Sequence, residues 1–238
     1  MQLISTASAA FAPLALDTLG RVHLSTGHHE RPDEGLCVME CVAFVAGEPH
    51  TDRPACACPV ITQLAIHAND ALGFLAQHGK ELAQRVIALA GSKGSAATAH
   101  ARACFLFNSA MQLLASGYLK GTRPKVARML MALPAITGRD QLPDLNAVLA
   151  YAETHDRDEY LRLKLTEPLR SAIHGLETSN SLTVCLAALQ IINQPGLHPN
   201  LMGLLDSLLA IDTAPAVVTP AMKTRIALLA TESDMATA

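Results

Sequence analysis

The chain divides into helix-length segments separated by glycine, proline and short polar breaks, and in most segments apolar residues recur every three or four positions. That spacing gathers the apolar side chains on one face of an α-helix. Nowhere does a convincing alternation of apolar and polar residues indicate a strand. The sequence therefore predicts an all-α protein, a multi-helix bundle or orthogonal helical array of eight to ten helices, with an irregular N-terminal segment up to about residue 32.

Only 3% of the residues are aromatic and tryptophan is absent. The core must therefore be built from Ala, Leu, Val, Ile and Met, a set that is compatible with helices. A chain of 238 residues can bury a sizeable core. We expect a single helical domain over 1–238, softly divided at a small, polar linker near 91–96 into a motif-bearing half over 1–90 and a helical half over 97–238.

Charge and hydropathy exclude several classes of protein. The net charge is −3, and Lys and Arg do not cluster into the basic stripe of a nucleic-acid binder. No run reaches the roughly 18 consecutive apolar residues of a membrane span, and the start of the chain lacks the basic region of a secretory signal. Six cysteines are too few for a secreted disulfide scaffold. We therefore expect a soluble cytoplasmic protein with reduced thiols.

The stretch from Asp33 to Pro59 is the most unusual part of the chain. Asp33 is a plausible N-cap, and the pattern predicts a helix from about Gly35 to Ala46 that is apolar all round. Glu40 is the only charged residue in it. A buried carboxylate must be paired, bound to a metal, or protonated with a raised pKa. Glu40 is thus the first candidate for a general base or a ligand, and a buried salt bridge or bonds to backbone amides are the structural alternative.

The loop after this helix is stiffened by three evenly spaced prolines, which fix φ and lower the entropy of ordering. It presents His50, Asp52 and Cys56 as further candidate catalytic residues. With Glu40 they could hold one catalytic metal that keeps an open position. Alternatively, Cys56 could act as a thiol nucleophile, with Arg53 lowering its pKa.

Four thiols in the same stretch have the order C-x3-C, fourteen intervening residues, then C-x-C. Such thiols would bind a structural zinc or an iron–sulfur cluster, although C-x-C is a poorer zinc clip than C-x2-C. The alternative is four separate buried thiols, because free cysteine is among the most buried residue types. The candidate metal ligands are Cys37, Cys41, Cys56 and Cys58.

Two groups of polar residues elsewhere have ordinary interpretations. The pair His28 and His29 could be ligands, but exposed loop histidines are the commoner case. His67 and Asp70 lie on the polar face of their helix, with Asn69 next to them, and we expect that face to be solvated. Asn108 stands alone in an apolar helix and needs a hydrogen-bond partner.

The segments Cys37-Val38-Met39-Glu40, Ala46-Gly47-Glu48 and Asp52-Arg53-Pro54-Ala55-Cys56 give the pattern C-x-M-E, A-G-E, D-x-P-x-C. This pattern resembles a segment of uncharacterised proteins encoded by bacteria and their phages. The resemblance covers about residues 28–75. It implies a shared local module, and no particular chemistry follows from it.

Two functional hypotheses remain. The first is a small helical metalloprotein or hydrolase-like enzyme whose site joins the buried carboxylate to the proline-stiffened loop. The second is a non-enzymatic helical interaction or assembly protein, related to phage proteins, which would bind a protein partner or a second copy of itself.

Overall fold

The computed structural model describes residues 15–155, 159, 162–212 and 217–236. These residues form helices and no strand, which confirms the all-α prediction, and the twelve helices slightly exceed the expected eight to ten. They are α1 (Val38–Ala46), α2 (Pro59–Asp70), α3 (Phe74–Gln84), α4 (Val86–Ala90), α5 (Ala96–Leu114), α6 (Lys120–Thr122), α7 (Pro124–Met131), α8 (Leu142–His155), α9 (Glu167–Glu177), α10 (Ser181–Ile192), α11 (Leu201–Ala210) and α12 (Pro220–Ala236).

Between residue 15 and α1 the chain is irregular apart from helical residues at 15–19 and a 3-10 turn at Pro32–Glu34. The first fourteen positions of the predicted irregular segment lie outside the described residues. Across the part of the chain that is described, no helix is both long and apolar enough to cross a membrane.

Helix α1 begins later than predicted. Its N-cap is Cys37 rather than Asp33, because Asp33 lies in the 3-10 turn and Gly35 follows with φ at +133°. Such a φ is incompatible with a continuing right-handed helix and is readily adopted only by glycine. The helix ends where expected, at Ala46, with Gly47 in the left-handed conformation.

The chain forms two compact units, one made of Met1–Lys93 with Asp212–Ala238 and the other of Gly94–Ile211. The first boundary, between Lys93 and Gly94, lies in the polar linker near 91–96. Nothing in the sequence indicates that α12 returns to the first unit. The single domain over 1–238 stays a prediction.

In the first unit α1 is the central helix. It contacts α2, α3, α4 and α12, and its side chains are buried from Val38 to Val45 except for the partly exposed Phe44. Arg225 of α12 donates a hydrogen bond to the carbonyl of Val45 at 3.3 Å. A cation at this position also complements the negative end of the α1 dipole.

Substituting Gly47 by alanine should destabilise the first unit more than the same change at Gly73. Both glycines have positive φ, +79° and +72°, so both variants bear backbone strain of about 1 kcal/mol. Only at Gly47 would the new Cβ collide with the Arg225 guanidinium, whereas at Gly73 it meets nothing within 4 Å. Urea denaturation of both variants measures the difference, and equal losses would mean that Arg225 moves aside without cost.

In the second unit α5 packs against α10 and α11, and α9 packs against α10. Two polar residues of α5 are held by backbone groups of other segments. The Asn108 side chain exchanges hydrogen bonds with the backbone of Ile136, at 2.9 and 3.0 Å, which confirms that it needed a partner. Arg102 is fully buried and donates to the carbonyls of Leu208 (3.1 Å) and Ile211 (2.8 Å), at the carboxyl end of α11.

Candidate acid–base site around Glu40

Glu40 occupies the third position of α1, where it completes a capping box with Cys37. The Cys37 thiol accepts from the Glu40 backbone N–H at 3.4 Å, and Glu40 Oε2 accepts from the Cys37 N–H at 2.7 Å. The two residues thereby satisfy backbone donors that the first turn of a helix leaves free. This local bonding explains how an apolar helix holds a carboxylate that is 0% exposed.

Two histidines from the segment before α1 bind the same carboxylate. The backbone N–H of His29 donates to Oε1 at 2.8 Å, and the His29 ring Nδ1 lies 2.8 Å from Oε2. His28 Nδ1 lies 3.1 Å from Oε1. Since an ionised carboxylate only accepts, each Nδ1 must carry its hydrogen.

The carboxyl group of Glu40 is ionised at neutral pH. Burial alone would raise its pKa, but the backbone N–H groups of His29 and Cys37, together with the His29 imidazole, outweigh that effect and lower the pKa below 4.5. The sequence allowed a paired, a metal-bound or a protonated carboxyl group, and in the structure Glu40 is paired. A carboxylate with bonded oxygens and a lowered pKa is suited to orient His29, and less suited to take up a proton itself.

The end of α2 holds in place the segment before α1 that carries His28 and His29. Asn69 donates to the Ser25 carbonyl at 2.8 Å and accepts from the Val38 N–H at 3.1 Å, while Asp70 accepts from the Gly27 N–H at 2.7 Å. Asp70 is exposed, as expected for the polar face, whereas the neighbouring Asn69 is fully buried.

Of the loop candidates, His50 reaches the carboxylate. Its Nε2 lies 2.8 Å from the His29 carbonyl and 3.9 Å from Glu40 Oε1. Because a carbonyl only accepts, Nε2 must carry the hydrogen of this ring. His50 therefore supports the backbone of His29 as well as facing Glu40.

Asp52 and Cys56 have other neighbours. Asp52 pairs with Arg53 at 3.8 Å within the loop itself. Burial, with a hydrogen bond to Glu48 and its charge, raises the pKa of the Cys56 thiol to about 11. The thiol is therefore protonated near neutral pH, whereas a nucleophilic cysteine reacts as the thiolate.

The four thiols proposed as zinc ligands serve separate roles, and all six cysteines are free. Burial raises the pKa of Cys37 to about 12 and also raises the pKa of the fully buried Cys41. Cys58 is the buried N-cap residue of α2, and its N–H donates to Ser92 Oγ at 3.0 Å. Among the described residues, no group of three or more His, Cys, Asp or Glu is placed to hold a metal ion, so the zinc prediction has no support there.

Sequence reasoning found Glu40 but undervalued its main partner, His29, whose side chain is only 12% exposed. A loop histidine gives no periodic signal of burial. For Glu40 itself the sequence offered a clue to its bonding partner. The C-x-x-E spacing of Cys37 and Glu40 resembles a capping box with cysteine in the place of serine. The chain matches no protein-family model, and searches of curated proteins and of solved structures found no significant match.

Proposed function

We propose that this chain is a hydrolase-like enzyme in which His29 is the general base and Glu40 is the carboxylate that orients it. One observation carries the proposal, the 2.8 Å contact between His29 Nδ1 and the Oε2 of a fully buried carboxylate. The same pairing of a base with an orienting carboxylate recurs in hydrolytic enzymes on unrelated folds.

The protonation states follow from the hydrogen bonds. With its hydrogen on Nδ1, a neutral His29 ring has its lone pair on Nε2, the nitrogen that can accept a proton from a reactant. The adjacent negative charge then stabilises the imidazolium that forms. Backbone N–H groups hold the carboxylate still, at 2.7 Å from Cys37 and 2.8 Å from His29, so little reorganisation is needed when the proton moves.

The segment that carries His28 and His29 is exposed to solvent next to the site. Thr26, Gly27 and His28 are exposed, and the His28 side chain is 55% exposed. An ideal Cβ placed on Gly27 would meet nothing within 4 Å. The base thus lies at the border between the buried carboxylate and open solvent.

Hydrolysis of p-nitrophenyl acetate by the full chain should depend on His29. General acid–base catalysis contributes about 10²- to 10⁴-fold, so His29→Gln is expected to lower kcat/KM by about 100-fold or more. Glu40→Gln should also lower it, because glutamine neither fixes the tautomer nor stabilises the imidazolium. Release of p-nitrophenolate measures the rate, and circular dichroism checks that each variant is folded.

The matched control is His198→Gln, since His198 is an exposed histidine of the other unit. It should retain the full rate. A folded His29→Gln variant that is as fast as the control, or a wild-type rate no higher than that of His29→Gln, would contradict the proposal.

The second candidate is a non-enzymatic helical interaction protein in which this cluster only anchors the N-terminal segment to α1. The observation that favours it is that groups of the protein itself bond both oxygens of Glu40. In that case His29→Gln would lower stability, and no ester hydrolysis would depend on His29.

A further inference from the structure

A serine hydroxyl and the Nε2 nitrogen of His29 pack against the same glycine, Gly35. An ideal Cβ on Gly35 would lie 2.6 Å from Ser25 Oγ and 2.9 Å from His29 Nε2. Both distances are shorter than van der Waals contact, so no residue with a side chain fits there without displacing one of them. The φ of +133° at Gly35 independently requires glycine. The absence of a side chain at position 35 therefore lets the hydroxyl and the imidazole both pack against the same side of Gly35.

The remaining atoms of His29 are already assigned. Nδ1 donates to Glu40, and Nε2 is the nitrogen on the Ser25 side of the ring. Hydroxyl, imidazole and carboxylate thus follow one another in the order nucleophile, base and orienting group. Catalytic hydrogen bonds are often long before a substrate binds and tighten in the complex with the reactant.

The backbone of Ser25 is anchored on both sides. Its N–H donates to the Leu36 carbonyl at 2.9 Å, and its carbonyl accepts from the buried Asn69 side chain at 2.8 Å. Its side chain is neither fully buried nor fully exposed. A nucleophile needs such a position, fixed relative to its base and open to a reactant.

We infer that Ser25 is the nucleophile of this site and that the substrates are carboxylic esters, an inference that rests on the proposed function of His29 and Glu40. Ser25 Oγ attacks the acyl carbon while its proton passes to His29 Nε2. The C–O bond to the leaving alcohol breaks, and His29 returns the proton to that alcohol. Water, deprotonated by His29, then releases the acid from the acyl-serine and regenerates both side chains.

A fluorophosphonate probe tests this directly on the unmodified full chain. Ser25 Oγ would bond to phosphorus and displace fluoride, and the hydroxyl proton would pass to His29. We expect an intact mass that is larger by one probe group, with peptide mapping placing the group on Ser25. Ser25→Ala should abolish the adduct, His29→Gln should slow its formation by about 100-fold, and Ser116→Ala, which removes an exposed serine of the other unit, should label like the wild type.

The failure of this inference differs from the failure of the proposed function. An unlabelled wild type, or an adduct on another residue, would overturn the assignment of Ser25. A Ser25→Ala variant that still hydrolyses p-nitrophenyl acetate in a His29-dependent manner would also overturn it, and would show that His29 activates water directly. Rates that are independent of His29 would instead contradict the proposed function.

Discussion

Replacing Glu40 by glutamine is expected to lower the free energy of unfolding at pH 7 by about 3 kcal/mol, in the range for a buried charged group that loses its partners. The carboxylate accepts from the backbone N–H groups of Cys37 and His29 and from two histidine rings. A carboxamide offers one oxygen and turns an NH₂ group toward donors. At least one buried N–H then has no acceptor. Urea denaturation measures the loss.

The same variant should lose part of the acid sensitivity of the protein. The pKa of Glu40 is lowered on folding, so its contribution to stability is present above the unfolded pKa, 4.5, and is lost as the pH falls through the folded value. The stability difference between wild type and Glu40→Gln should therefore shrink from about pH 5 downward. Glu34→Gln is the matched control because Glu34 is exposed, where it pairs with Arg31 and accepts from the Glu30 N–H, and it should change stability by less than about 1 kcal/mol. A wild-type advantage over Glu40→Gln that stays constant down to pH 3 would contradict the ionised state of Glu40.

Arg102→Met should destabilise the second unit by about 3 kcal/mol, because hydrogen bonds to charged groups contribute roughly 1.5 to 3 kcal/mol each. Methionine fills much of the same volume but cannot donate to the carbonyls of Leu208 and Ile211. Those carbonyls lie at the end of α11, where the negative end of the helix dipole favours a cation. Urea denaturation, followed by the loss of helical circular dichroism, measures the effect.

Two further substitutions separate charge from geometry at this position. Arg102→Lys keeps the charge but replaces a planar fork of donors with a single ammonium, so an intermediate loss is expected. Arg128→Met removes an exposed arginine that donates to the Pro124 carbonyl of its own helix, and it should have little effect. If Arg102→Met were as stable as Arg128→Met, the buried guanidinium would not be holding the end of α11.

The sequence predicted those features that depend on local pattern. Helix-length apolar segments led to the all-α fold, and a single charge within one of them singled out Glu40. The start of α1 was misplaced because Asp33 has the chemistry of an N-cap, whereas the positive φ of Gly35, which ends the 3-10 turn before the cap at Cys37, cannot be read from the residue type.

Features that depend on distant contacts were not predictable in the same way. Arg102 is an ordinary polar residue in the sequence of α5, and its burial follows from the approach of Leu208, more than a hundred residues later. Ser25 and His29 lie in a segment without periodicity, so only the fold brings them to Glu40. Glu40 could be found from the sequence because it is a charged residue in an otherwise apolar helix. A serine or histidine in a loop is an ordinary residue there and gives no such signal.

The division of the chain has a consequence for biosynthesis. The second unit is continuous in sequence, whereas the first is assembled from segments on either side of it. During translation from the N-terminus, the ribosome completes the second unit before it has made α12. Helix α1 therefore gains its hydrogen bond from Arg225 only after the second unit has been synthesised. The unit that carries Glu40 can therefore fold completely only after the second unit has been synthesised. A chain that stops before α12 would lack the hydrogen bond from Arg225 at the end of α1.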